Sequence, residues 1–317
     1  MIVFHDDVRK GLDTPSIALM KLKLYLDTKE PQLVYWLQTL WNNQQRAITY
    51  KELREAIMRG ELDEEMLEEW HKDYSRFVVD YVAPMWTAAM HEAAKELETR
   101  YPVFSLDLMS DGIRQWNSRR AASFVTRTTD EQKKAIRAVV KRASQMHDMN
   151  VDELARAIRP MVGLNHPQAM ANMNYYQKML DSGLSQKKAK ERCVRYAARQ
   201  SRYRGYMIAR TELAHAYNHG EDIGVKAAID KGLMGYTRKT WCTADDERTC
   251  EICGGLEGKT IEMDEDFRYE GKNGRLTRIN PRLRTKDIGK VPPAHPHCRC
   301  TVLYEEIEPP RYEEMFQ

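Results

Sequence analysis

Apolar positions recur at helical spacing through most of the chain and change to alternation only towards its end. Leu33, Trp36, Leu37, Leu40 and Trp41 fall at i, i+3, i+4, i+7 and i+8, and Ile17 to Tyr25 precede them with a similar mixture. A helix follows, and its two tryptophans either pack on the next helix or form an arm that docks on a neighbouring subunit. Thr49 with Glu52 is a capping-box pair that opens a short helix ending near Gly60. From Leu62 to Arg100 a long helix is predicted, with Met66, Trp70, Tyr74, Phe77, Val78 and Tyr81 on one face and a break or kink at Pro84. Its acid-rich first turns suit the helix dipole. Tyr101 to Asn117 loses the period and reads as a connector. Thr129 with Gln132, Asn150 with Glu153, and Asn165 before Pro167 mark further helix starts, and Gly163 and Gly183 mark stops.

Ser185 to Arg210 is the most distinctive predicted helix. It holds nine Lys/Arg and a single acid, Glu191. Arg192, Arg195, Arg199 and Arg202 recur at steps of three and four and share one face, opposite Cys193, Tyr196, Ala197, Tyr203 and Met207. Such a stripe suits a phosphate backbone or a carboxylate-rich protein surface. The helix, or a successor after Gly205, runs on through Arg210 and Glu212, which are expected to tie it to the cysteine-bearing part of the chain. His215 and His219 have the i, i+4 spacing of a zinc-protease helix, but Ala216 stands where the catalytic glutamate would be. After Gly232 the period shortens. Met234 to Thr243, Lys259 to Met263 and Cys300 to Tyr304 read as strands, with Trp241 as core residue and Asp246 turning the loop before Arg248.

The fold class is therefore α+β. A helical N-terminal region (1–116) and a helical middle region (117–235, with the basic helix 185–210) precede a small Cys/His domain (236–304). That domain holds a basic loop at 265–294, and an acidic tail (305–317) follows. With 317 residues, 42% of them apolar, the chain can bury a sizeable core. Its net charge of +3 excludes a polybasic binder as a whole, so any polyanion contact must be local. The local sites are the stripe above and the loop, where Arg275, Arg278, Arg282 and Arg284 lead eight basic residues against four acids. No apolar run is long enough for a membrane span, and the acids after Met1-Ile-Val-Phe do not suit a signal peptide.

Four of the six cysteines change the picture most. Cys250-Glu-Ile-Cys253 puts two sulfurs on one side of a tight loop, and His295-Pro-His297-Cys298-Arg-Cys300 supplies a second cluster about 45 residues on. Cys250, Cys253, Cys298 and Cys300 are the first choice of ligands for a structural zinc. His297 is the readiest substitute, and His295 competes with it. Buried thiol pairs or a disulfide between the clusters fit the same spacing. A catalytic thiol fits poorly, because nothing fixes a base beside it.

These residues also carry a resemblance. Ile208-Ala-Arg210-Thr211-Glu212, Asn218 and Gly220, Lys239-Thr-Trp241, Asp246 to Cys253, Leu256-Glu-Gly258, Phe267 and Pro292 to Cys300 follow in an order similar to the phage Mu F-like head morphogenesis family. The resemblance spans roughly residues 205 to 303. It implies a minor capsid protein of a tailed phage, made in the bacterial cytoplasm and packaged into the head. Its implied partners are the portal and major capsid proteins, and the packaged double-stranded DNA is a further candidate. Arg210, Glu212, Trp241 and Asp246 are then structural motif positions. Two other classes stay in view. One is a zinc-knuckle nucleic-acid binder, and the other a toxin- or nuclease-type enzyme, for which the chain offers neither a Ser-Thr-Ser with a downstream Glu-x-Glu nor a paired-histidine motif.

Overall fold

Helix boundaries follow the capping chemistry closely. The computed structural model describes residues 14–146, 149–244, 246–270 and 285–308. Helix α1 (Pro15–Ala47) is followed by α2 (Tyr50–Arg59), which opens on the Thr49/Glu52 capping box and closes on Gly60 at φ 78°. Asp63 caps α3 (Glu64–Phe77). Before Pro84 the ladder widens into a π-turn (Val78–Val82), in which the Ala83 N–H reaches back to the Val78 carbonyl. The wider turn absorbs the donor that proline lacks, so α4 (Ala83–Arg100) continues where the sequence predicts a break or a kink.

One predicted start does not exist. Helix α5 (Asp111–Ser144) runs unbroken past Thr129 and Gln132. Gln132 is fully buried; its amide donates to Gln44 Oε1 at 2.9 Å while its Oε1 accepts from Tyr74 at 2.5 Å. A side chain held by tertiary partners is not free to cap. Asn150 and Asn165 do cap α6 (Val151–Ile158) and α7 (His166–Asp181), the latter with a capping box to Gln168 and Pro167 in the first turn. Helix α8 (Gln186–Asp230) then passes through Gly205 without a break. A Cβ there would come within 3.3 Å of Val34, so the glycine admits a neighbouring helix rather than ending its own.

The chain forms two compact units, each assembled from separate stretches. One draws on Pro31–Pro84 and Asp111–Ala209, and its elements among the described residues are all helices. Its core joins Leu53, Ile57, Leu67 and Trp70 to Ile136, Val140, Leu154, Ile158, Met173, Tyr176 and Cys193. Burying such side chains stabilises by about 1.5–3 kcal/mol each. Trp41 is also buried and donates to Tyr74 at 2.7 Å, so the second tryptophan of α1 is a core residue. Trp36 stacks on Tyr81 at 4.8 Å.

The other unit draws on Met1–Glu30, Met85–Ser110 and Arg210–Gln317. It holds an antiparallel sheet in the order β2-β1-β5, with β1 (Thr237–Cys242) between β2 (Thr260–Glu262) and β5 (Thr301–Glu306). These are the three predicted strands. Trp241 opposes Val302 in register and is fully buried, edge-on to Phe267 at 5.1 Å. Residues 265–294, predicted as one long loop, begin and end in a second ladder of β3 (Phe267–Glu270) and β4 (Thr285–Gly289). Phe267 and Tyr269 alternate inward there and bury. Arg275, Arg278, Arg282 and Arg284 lie outside the described residues, as does the tail from residue 309.

Candidate metal centre and arginine face

The cysteine centre is built from two loops of the sheet-bearing unit. Leaving β1, the chain is turned by Asp246, whose Oδ1 accepts from the Arg248 N–H at 3.0 Å and whose carbonyl accepts from the Thr249 N–H at 2.8 Å. Cys250 then caps the single turn α9 (Glu251–Gly254), and the Cys253 N–H donates to its sulfur at 3.4 Å. The second loop returns through a cis Pro292–Pro293 bond and His297 at φ 63°. Arg299 grips Asp246 with two hydrogen bonds of 2.7 and 2.5 Å, which fastens one loop to the other. Arg299 foremost holds the Asp246 carboxyl well below the usual carboxylate range.

All four predicted cysteines come together here, and the histidine that joins them is His295. Its Nε2 lies 3.0 Å from Cys250 Sγ and 3.1 Å from Cys253 Sγ. Its Nδ1 meets the Pro296 carbonyl at 2.7 Å, which fixes the proton on that nitrogen and leaves Nε2 as a lone pair aimed at the sulfurs. Cys253 also lies 3.8 Å from Cys298, and with Cys300 these form a second, fully buried triad sharing Cys253. Hydrogen bonds from Cys253, and then Cys300, hold Cys298 far down towards the thiolate, whereas the shared proton pushes Cys253 up. His297 belongs to neither triad, and its N–H donates to Thr211 at 3.3 Å. Thiolate and imidazole donors in a mostly buried pocket suit zinc.

Of the remaining motif residues, Asn218 reaches this centre. Arg210 pairs with Glu30 at 2.6 Å and Asp27 at 3.4 Å, both on α1. Glu212 is fully buried. Asn218 of α8 accepts from Thr301 at 2.8 Å and donates to the Cys300 carbonyl at 3.5 Å, so the helix holds the second cysteine loop directly. One turn on, buried Asp222 faces Lys239 of β1 at 3.6 Å, Lys226 at 3.3 Å and Tyr304 of β5 at 3.4 Å. Burial lowers the pKa of Lys239, which Asp222 partly counters. Sequence reasoning did not pick out Asp222. Its i, i+4 step to Lys226 is the one signal available.

The arginine stripe lies in the helical unit. Arg192, Arg195, Arg199 and Arg202 are all exposed and have no carboxylate partner among the described residues, unlike Arg137 on Glu64 or Arg156 on Glu153. Arg192, Arg195 and Arg199 line an open groove with Tyr175, and Arg199 lies over the Tyr196 ring at 5.6 Å. Tyr203, predicted on the apolar face, is 56% exposed, because the buried line runs through Ala189, Cys193, Ala197, Ser201 and Arg204. Arg204 escaped sequence reasoning. It is fully buried, donates to the Gly163 carbonyl at 2.5 Å and pairs with Glu131 at 3.0 Å.

Residues 146–303 match the family model described as Phage Mu protein F like protein. The chain belongs to this family. The match begins well upstream of residue 205, so it takes in α6, α7 and the arginine face as well as the cysteine centre. No curated protein and no solved structure matches this Mu F-like chain. Among its described residues no helix is long and apolar enough to cross a membrane.

Proposed function

We propose that this chain is a minor head protein of a tailed phage, present in few copies beside the portal and carried in the virion. Membership of the Mu F-like family, with its capsid-related role, is the observation that carries the reading. The helical unit supplies contacts to portal and major capsid subunits, and the exposed stripe Arg192, Arg195, Arg199 and Arg202 faces the packaged double-stranded DNA. Over ten residues the stripe is about 15 Å long, with a guanidinium every turn. Surface arginines in that arrangement suit a phosphate backbone. The cysteine centre is a structural zinc site, which gives folding energy to a module with little core of its own. No chemistry is asked of the chain, and its action is positional.

Quantitative mass spectrometry of density-purified particles tests this. A few copies per particle, counted against portal and major capsid protein, is the expected result, and complete absence from particles overturns it. The DNA contact has its own test. Replacing Arg195, Arg199 and Arg202 with Gln should weaken duplex binding uniformly across sequences and reduce the salt slope by about one for each phosphate no longer neutralised. Unchanged binding would assign the stripe to a protein partner.

A further inference from the structure

The cysteine centre offers five donor side chains, one more than a tetrahedral ion uses. We infer that a single zinc takes Cys250, Cys253, Cys298 and His295 Nε2, and that Cys300 stays beside it as an unmetallated thiol. The inference rests on the structural-zinc reading above and goes beyond it by naming the ligand set.

Three observations select the set. First, a zinc–sulfur bond of about 2.3 Å implies a tetrahedral sulfur–sulfur edge of about 3.8 Å, and the Cys253–Cys298 separation is 3.8 Å. Second, His295 Nε2 already sits between Cys250 and Cys253 at 3.0 and 3.1 Å, the place of a hydrogen-bonded thiol proton that a metal would replace. With zinc–nitrogen near 2.0 Å the same edges open to about 3.5 Å, a shift of about half an ångström. The Nδ1 contact to Pro296 is the outer hydrogen bond that ligating histidines make. Third, the backbone at Cys300 is fixed. Its carbonyl accepts from Asn218, and the next residue, Thr301, is paired with Cys242 in the sheet. Its sulfur, like that of Cys298, groups with Cys253 and not with Cys250 and His295, so the tether and not the distance separates the two. Closing the site around Cys300 instead of His295 would draw on the residue that leads directly into β5, whereas Cys298 and His295 stand in the loop before it.

Charge points the same way. Four thiolates around Zn²⁺ leave a net charge of −2 in a pocket whose lining arginines, Arg248 and Arg299, are both already committed to Asp246. Three thiolates and a neutral imidazole leave −1, which costs less to bury.

Cobalt(II) substitution of the reduced, metal-free full chain separates the outcomes, because thiolate-to-cobalt absorption scales with the number of sulfurs bound. The expected result is one cobalt per chain with a three-thiolate spectrum, unchanged in Cys300→Ser. His295→Ala should weaken binding by more than the roughly 10–100-fold that loss of an outer-shell partner costs. His295→Cys should raise the intensity to the four-thiolate level. A four-thiolate spectrum in the unaltered chain, or one that falls in Cys300→Ser and survives His295→Ala, overturns the ligand set while leaving the metal. Failure of the reduced, unaltered chain to bind cobalt or zinc overturns the structural-zinc reading itself.

Discussion

Gly220 and Gly224 lie one turn apart on α8, and a methyl group at each would meet very different obstacles. At Gly220 a Cβ would fall 2.3 Å from Met90 Cα, 2.7 Å from its Cβ and 2.9 Å from its carbonyl oxygen. Carbon pairs rest at about 3.5–4.0 Å, so Gly220→Ala requires α4 and α8 to separate locally by about 1.2 Å. Two of the three obstructing atoms are backbone, and no rotamer change relieves them. At Gly224 the nearest atom is Leu97 Cδ1 at 2.9 Å, the end of a side chain that can turn away. Each substitution also gains about 1 kcal/mol of helix propensity. Overpacking typically costs about 1–3 kcal/mol, more where backbone must move. The expected net is a loss of about 2–3 kcal/mol for Gly220→Ala and a change within about 1 kcal/mol of zero for Gly224→Ala. Urea denaturation followed by far-UV circular dichroism measures both, provided the slope m is unchanged. Equal stability of Gly220→Ala and the unaltered chain would refute the close approach, and an equal loss in both variants would refute the distinction between backbone and side-chain obstacles.

Three further outcomes are expected. Burial foremost, with Lys226 and Lys290 nearby, pushes the His219 pKa down to about 4. The imidazole is therefore neutral in the fold, while in the unfolded chain it titrates near 6.5. Acid therefore destabilises the fold through this group, by on the order of 2 kcal/mol; the penalty is absent above pH 6.5 and grows as pH falls towards 4. Melting temperatures of His219→Gln should decline less steeply over that window, and parallel curves would contradict the assignment. Arg204→Ala should cost about 3 kcal/mol or more, since it strands the Gly163 carbonyl and opens a cavity against Trp41. Arg204→Lys should not restore it, because one ammonium cannot reach both the carbonyl and Glu131 in the arginine's geometry; full recovery in chemical denaturation would show that charge alone matters. Asp246→Asn should make residues 243–250 more sensitive to limited proteolysis and weaken cobalt binding. The depressed Asp246 pKa means the clamp is fully formed above the unfolded carboxylate's range and fails only in stronger acid, so proteolysis of the unaltered chain should not change between pH 5 and 7.

Local chemistry determined much of this protein from sequence alone. Thr49, Asn150 and Asn165 cap helices because a short polar side chain beside orphan N–H groups acts within three residues. The alternation around Trp241 gave a strand, and the Cys-x-x-Cys spacing gave a two-sulfur turn, for the same reason of short range. The order of motifs from Ile208 to Cys300 was enough to indicate the family. The fold class followed too, since period and strand count are written along the chain. What only the tertiary structure decided involves partners distant in sequence. Gln132 looks like a capping residue until Tyr74 and Gln44 claim it. Arg204 falls on the buried line of α8, where the Gly163 carbonyl and Glu131 receive it, while its neighbours at 199 and 202 face outward. On paper His297 is the readier ligand and His295 its competitor. A left-handed backbone turn at His297 and the Pro296 carbonyl beside His295 Nδ1 aim only one of them at the cysteines, and the direction in which a side chain points is a property of the folded backbone.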